Sequence, residues 1–204
     1  MIKIFVPFME RLNLNGDAAN ALVIQKRLRW AGLASQIVSI SDEAGFFSAM
    51  KEAKQAPIFV LLGHGSKAAM NSISNFKAEF VDLIESANKS GGGGLVIGSS
   101  YEWLVPHQVG ERKSEFSALE VSLPQLGETV EVFGYVNSNT DLKDILWDGK
   151  VLLTRLHGPV LAKSPGLADY FCGLITRGKY APAEPTDLAG IVEEARAVAR
   201  GERD

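Results

Sequence analysis

Three short glycine-bounded stretches carry the residue types that can do chemistry: Gly63-His64-Gly65, Gly98-Ser99-Ser100 and Leu156-His157-Gly158-Pro159. A serine hydroxyl beside an imidazole suits acyl transfer, with the His as general base. A Gly-x-Gly turn exposes backbone N–H groups that can hold a developing oxyanion. On this reading His157 is the base, Ser99 or Ser100 supplies the hydroxyl, and Gly63, His64 and Gly65 form an oxyanion or ligand-binding loop. The plainer alternative is that the glycines make tight turns and the serines cap a helix. His107, after Pro106 among polar residues, reads as surface. No carboxylate sits at ligand spacing beside His64 or His157, so no metal site is expected. Cys172 is the only cysteine, which excludes an internal disulfide and a thiolate cluster, and its apolar run marks it as a buried structural thiol.

The elements that must position these stretches follow from periodicity. Ile2 to Phe8, Ser35 to Ile40, Pro57 to Leu62 and Leu95 to Ile97 read as strands. Between them, helical periods run from Asp17 to Trp30, from Ser41 or Asp42 to about Gln55, and from Asn75 to Asn88. Asp17 precedes the first helix as an N-cap; it is also a candidate to orient a site residue. The glycine run Gly91 to Gly94 feeds the fourth strand, which breaks at Gly98 and gives way to a helix opening at Tyr101. Successive βα units predict a doubly wound parallel sheet with helices on both faces, and such sheets bind ligands outside the carboxyl ends of their strands. The three candidate stretches all end strands and should converge there.

Past Pro106 the pattern turns β-rich. Ser117 to Ser122 and Glu128 to Tyr135 alternate, Trp147-Asp148-Gly149-Lys150 signals a hairpin, and Val151 to Leu156 is a further strand. This half should extend the sheet and lay a ribbon over one edge. A helix from Pro165 to Ile175 follows, then a linker over residues 177–186 and a terminal helix over 187–200 capped by Asp187, with a fraying tail. One domain spanning residues 1–204 accounts for the length. Trp30 and Trp147 should pack in the core, as should Trp103, although it stands near enough to Ser99 to wall a pocket.

Composition narrows the function. A formal charge of -3 and a pI near 5.7, with cations and carboxylates interspersed, argue against nucleic-acid binding. No run of about 18 apolar residues is present to span a membrane and no signal-peptide pattern opens the chain, so a cytoplasmic location is expected.

The segment Leu12-Asn13-Leu14-Asn15-Gly16-Asp17-Ala18-Ala19-Asn20, continuing to Leu28-Arg29-Trp30-Ala31-Gly32, resembles the LNxxGDxxN…RxxWxG signature of GatD-type glutamine amidotransferases. These are the small subunits of lipid II isoglutaminyl synthase, within the CobB/CobQ-like class I amidotransferases. The block from Leu156 to Asp169 is similar to that family's LHGPLLPKNPxLAD, and Glu184-Pro185-Thr186-Asp187 to its closing segment. The resemblance implies a flavodoxin-like class I amidotransferase fold, no cofactor, and ammonia taken from glutamine by a Cys at the strand-to-helix turn. His157 would assist that Cys, and Gly63-His64-Gly65 would be the oxyanion loop, with His64 in place of a glycine. The implied partner is a Mur-ligase-like, MurT-type subunit that amidates the peptidoglycan precursor lipid II.

The family's turn reads ICGGYQ where this chain has Ile97-Gly98-Ser99-Ser100-Tyr101-Glu102, so Gly98 stands at the nucleophile position. The stretch Gly134 to Thr140 resembles the family's GFENHxGRT but lacks its arginine. Removing an attacking atom costs about a million-fold in rate in other hydrolases. The expectation is therefore a relative without glutaminase activity that acts as a binding or regulatory subunit. Two alternatives stand beside it: a hydrolase or amidotransferase acting through Ser99 and His157, and a domain holding a small amide or acid ligand against the N–H groups of the Gly63-His64-Gly65 loop.

Overall fold

The order of apolar residues in the strands dictates a sheet covered on both faces. The structure, a computed structural model, describes residues 1–183, 185 and 187–201. Strands β1 (Ile2–Pro7), β2 (Ser35–Ile40), β3 (Phe59–Leu62), β4 (Gly93–Ile97), β7 (Ile145–Trp147) and β8 (Val151–Thr154) form a six-stranded sheet in the order β2-β1-β3-β4-β8-β7. All neighbours are parallel except β7, which returns antiparallel on β8 at the edge. Because strand side chains alternate, Ile4, Val6, Phe59, Leu61, Leu95 and Ile97 point to one face. Phe5, Val60, Leu62 and Val96 point to the other.

The first face is covered by α1 (Ala19–Trp30) and α6 (Pro165–Ile175), the second by α2 (Glu43–Ala53) and α4 (Lys77–Lys89). Asp42 caps α2, accepting from the Gly45 N–H at 2.8 Å. A short α3 (Lys67–Ser72), capped by Ser66, stands where sequence periodicity shows only loop, and the expected Asn75 helix begins at Lys77 after a 3-10 turn. The glycine run lies partly inside β4: Gly93 and Gly94 pair with Phe59 and Val60. Gly93 suits that place because a Cβ there would lie 2.8 Å from the Phe171 ring of α6.

The β-rich half makes a second, antiparallel sheet of β5 (Val109–Leu123), β6 (Glu128–Thr140) and β9 (Leu156–His157). Its Val121, Leu123, Val132 and Val136 pack into the same core as α1 and α6. The chain leaves β8 for β9 through Arg155. The buried Arg155 guanidinium bonds the Asp144 carboxylate and donates to the Thr140 carbonyl at 2.7 Å, while Thr154 Oγ1 donates to the Asp144 carbonyl at 2.8 Å. That corner sets His157 opposite Tyr135 of β6.

Helix α7 (Leu188–Arg200) follows the linker. Asp187 stands at its N-cap position but makes no capping bond through its side chain, a correction to its expected role. Glu184 and Thr186 of the closing segment, and residues 202–204 of the tail expected to fray, lie outside the described residues. Among the described residues no helix is long and apolar enough to cross a membrane.

Candidate functional site

Four loops meet at the carboxyl ends of the strands: those after β1, β3 and β4, and the one after β9. Asp17, in the loop after β1, is fully buried. It does not cap α1, whose N-cap position is Ala18 with no side-chain bond. Its Oδ2 accepts from the His64 N–H at 3.1 Å and its Oδ1 from the Gly158 N–H at 3.0 Å. One carboxylate thus ties the loop after β3 to the loop after β9. The sequence places a cap there because a Gly-Asp before a helical period is the local signature, whereas the bonds formed reach across the fold. Burial raises the Asp17 pKa above the usual carboxylate range, and the two N–H donors oppose that rise.

Asn20 makes a second tie. Its Nδ2 donates to the Gly158 and Asp17 carbonyls at 3.1 and 2.8 Å, and its Oδ1 accepts from the Leu161 N–H at 2.8 Å. Asn15 brings its Nδ2 to 3.1 Å from His157 Nδ1. Asn15 and Asn20 belong to the N-terminal signature, the one sequence cue to their part in the site.

Gly98 turns β4 into α5 (Ser99–Leu104) with φ 55° and ψ −119°, a backbone that L side chains rarely adopt. Its N–H donates to the Thr154 carbonyl at 2.8 Å, and its own carbonyl accepts from the Glu102 N–H at 3.0 Å. A Cβ at Gly98 would fall 2.6 Å from His157 Cε1 and 2.6 Å from His64 Nδ1. The two imidazoles therefore occupy the space that a side chain at this turn would use. They meet edge to face, ring centres 4.5 Å apart.

The N–H groups suited to an oxyanion are bonded within the protein. The Ser99 N–H donates to His64 Nδ1 at 3.0 Å, which assigns His64 the neutral tautomer with its proton on Nε2. The Gly65 N–H donates to Ser99 Oγ at 2.9 Å, and that hydroxyl donates back to the Gly65 carbonyl at 3.0 Å. The His64 N–H is held by Asp17. Ser100 Oγ, buried, donates to the Gly63 carbonyl at 2.6 Å. Both candidate hydroxyls thus join the loop after β4 to the loop after β3.

Burial drives the imidazoles toward neutrality. His64 falls to about 4, lowered by burial and then by His157, against the opposing charge of Glu102. His157 is lowered by burial, with Asp17 pulling the other way. Glu102, half-buried, accepts from Ser138 Oγ at 2.6 Å; sequence reasoning gave it no role, although it stands at the end of the Gly98 to Glu102 turn. His107 is exposed, and Trp103, half-buried, packs against the core with its ring edge-on to Phe80 of α4. Among the described residues no three of His, Cys, Asp and Glu are grouped to hold a metal ion. No family model matches the chain, and no curated protein matches it.

Proposed function

We propose that this chain is a GatD-like, class I glutamine amidotransferase-like protein that does not hydrolyse glutamine and acts as a binding or regulatory subunit. The observation that carries this reading is the filled turn at Gly98: no attacking atom stands there, and His64 and His157 take up its space. The neighbouring amides of His64, Gly65 and Ser99 already have partners, so an oxyanion would have to displace Asp17, Ser99 Oγ or the His64 ring. Preorganised donors aimed at a developing charge are worth about 10²–10³ in rate each, and here they are engaged elsewhere.

The parallel strand order β2-β1-β3-β4-β8 supports the flavodoxin-like part of the reading, since it corresponds to a 2-1-3-4-5 winding with the ligand crevice beside β1 and β3. The GatD-like part rests on the Leu12 to Gly32 and Leu156 to Asp169 signatures, which meet where Asp17 and Asn20 bond Gly158 and Asn15 bonds His157. A MurT-type ligase subunit is the partner that the resemblance implies.

The bonding of Ser99 weighs against a Ser99–His157 hydrolase, because its hydroxyl is engaged with Gly65 on both sides. The test is ammonia release from millimolar glutamine by the purified protein, alone and co-expressed with a MurT-type subunit. The expected result is the rate of the protein-free blank, together with co-purification of the two chains. Turnover within the ordinary enzyme range of about 1–10³ s⁻¹, abolished by His157→Ala, would overturn the non-catalytic reading. Absence of a complex would remove the partner.

A further inference from the structure

A groove of about 730 Å³ lies away from the strand ends, along the outer face of α1. Its apolar wall is Leu22, Trp30, Leu33 and Leu161, and Leu22 leaves 56% of its surface in water. Its exposed charges, Lys26 and Arg29, are cationic, and Arg27 beneath them is engaged with Asp169 at 2.5 Å. No Asp or Glu lines it among the described residues, on a chain whose formal charge is -3.

The complementary surface is on the same molecule. Helix α7 buries Val192 against the body and turns Ile191 and Val198 outward, 53% and 59% exposed. Residues 187, 191, 194 and 198 fall at the four-three-four spacing that lines one helix stripe. The stripe reads Asp187, Ile191, Glu194, Val198, acid alternating with apolar. The stripe on α1 reads Leu22, Lys26, Arg29, apolar and then basic. Leu188, the first residue of α7, lines the groove, so the start of α7 and the basic groove adjoin.

We infer that a second copy of this chain occupies the groove, each copy laying the Ile191/Val198 face of α7 against the other's Leu22, Lys26 and Arg29. Adjoining complementary patches can close on themselves about a twofold axis, which gives two equal contacts and no open chain of copies. Burying Leu22, Ile191 and Val198 together removes exposed apolar surface that a lone copy leaves in water. The opposed charges set the register and make the association sensitive to salt.

Sedimentation equilibrium over a range of protein concentrations tests this. The expected wild-type mass approaches twice 22.0 kDa, and association weakens as sodium chloride is raised. Leu22→Glu and Ile191→Glu, at exposed positions and checked for folding by circular dichroism, each weaken association by about tenfold or more. Mixing the two variants restores part of it, because the intact groove of one meets the intact helix of the other. A wild-type chain that stays monomeric at every concentration overturns the inference. So does a dimer indifferent to Leu22→Glu, to Ile191→Glu or to their mixing.

Discussion

Placing a methyl group at residue 98 measures how completely the turn is filled. Gly98→Ala puts a Cβ at φ 55°, and it would stand 2.6 Å from ring atoms of both His64 and His157. A Cβ in a left-handed conformation costs about 1–2 kcal/mol. Forcing an extra carbon into a packed site costs about 1–3 kcal/mol more, for a total of about 2–5 kcal/mol against an overall stability of about 5–15 kcal/mol. Urea unfolding followed by tryptophan fluorescence reads that loss as a lower midpoint at unchanged slope. The same substitution in a His64→Ala background meets only the His157 ring, and its penalty should shrink by about 1 kcal/mol, the coupling expected of residues in contact. Equal penalties in the two backgrounds, or a Gly98→Ala variant as stable as the wild type, would refute the filled-turn reasoning.

Three further outcomes follow from the same geometry. Ser99→Ala removes both bonds to Gly65 and should cost about 1–2 kcal/mol in urea unfolding, with ammonia release from glutamine staying at the blank. His64 takes up its proton near 6.5 in the unfolded chain and at about 4 in the folded one. In that window the unfolded state binds more protons, so the His64 contribution to stability is present above 6.5 and is lost as the pH falls toward 4. His64→Ala should flatten the difference, and an unchanged slope would contradict the assignment; His157 acts in the same sense as His64 and Asp17 in the opposite sense, and both remain in the variant. Cys172 is fully buried and held at about 12 by that burial, so a thiol reagent should modify it only at the rate of unfolding; rapid labelling under native conditions would show the packing around α6 to be looser than described.

The central strands were legible because a strand covered on both faces has to be apolar throughout. Phe59 to Leu62 and Leu95 to Ile97 offer no other reading, and the Trp147 to Lys150 hairpin carries its own turn chemistry, with Asp148 Oδ1 accepting from the Lys150 and Val151 N–H groups. The ribbon was legible only in part. β5 runs from Val109, well before the alternation becomes visible at Ser117, because much of that strand is solvated and its outward residues need not be apolar. Helix α3 has too few residues to show a period and was invisible for that reason. That the candidate loops would meet followed from their places at strand ends. What joins them did not: Asp17 finds His64 and Gly158, 47 and 141 residues away, and no local pattern contains those partners.

The turn at Gly98 separates what a backbone preserves from what chemistry requires. Its φ and ψ are held by the bonds to the Thr154 carbonyl and from the Glu102 N–H, both of which belong to the β4-to-α5 reversal and use backbone atoms alone. Glycine adopts that conformation with little strain, so the shape of the turn is no evidence of a reaction. The occupancy around it is the discriminating feature. With no side chain at residue 98, the space beside His157 needs a filler, and the Ser99 N–H needs an acceptor because an unpaired donor there would cost about 1–3 kcal/mol. The His64 ring meets both needs at once, giving volume toward Gly98 and a lone pair at 3.0 Å from the Ser99 nitrogen. Residues 64 and 98 therefore form one unit: a side chain at 98 meets the rings of His64 and His157 at 2.6 Å, and one of them has to give way. The His64 ring also cannot leave without freeing the Ser99 amide it accepts from.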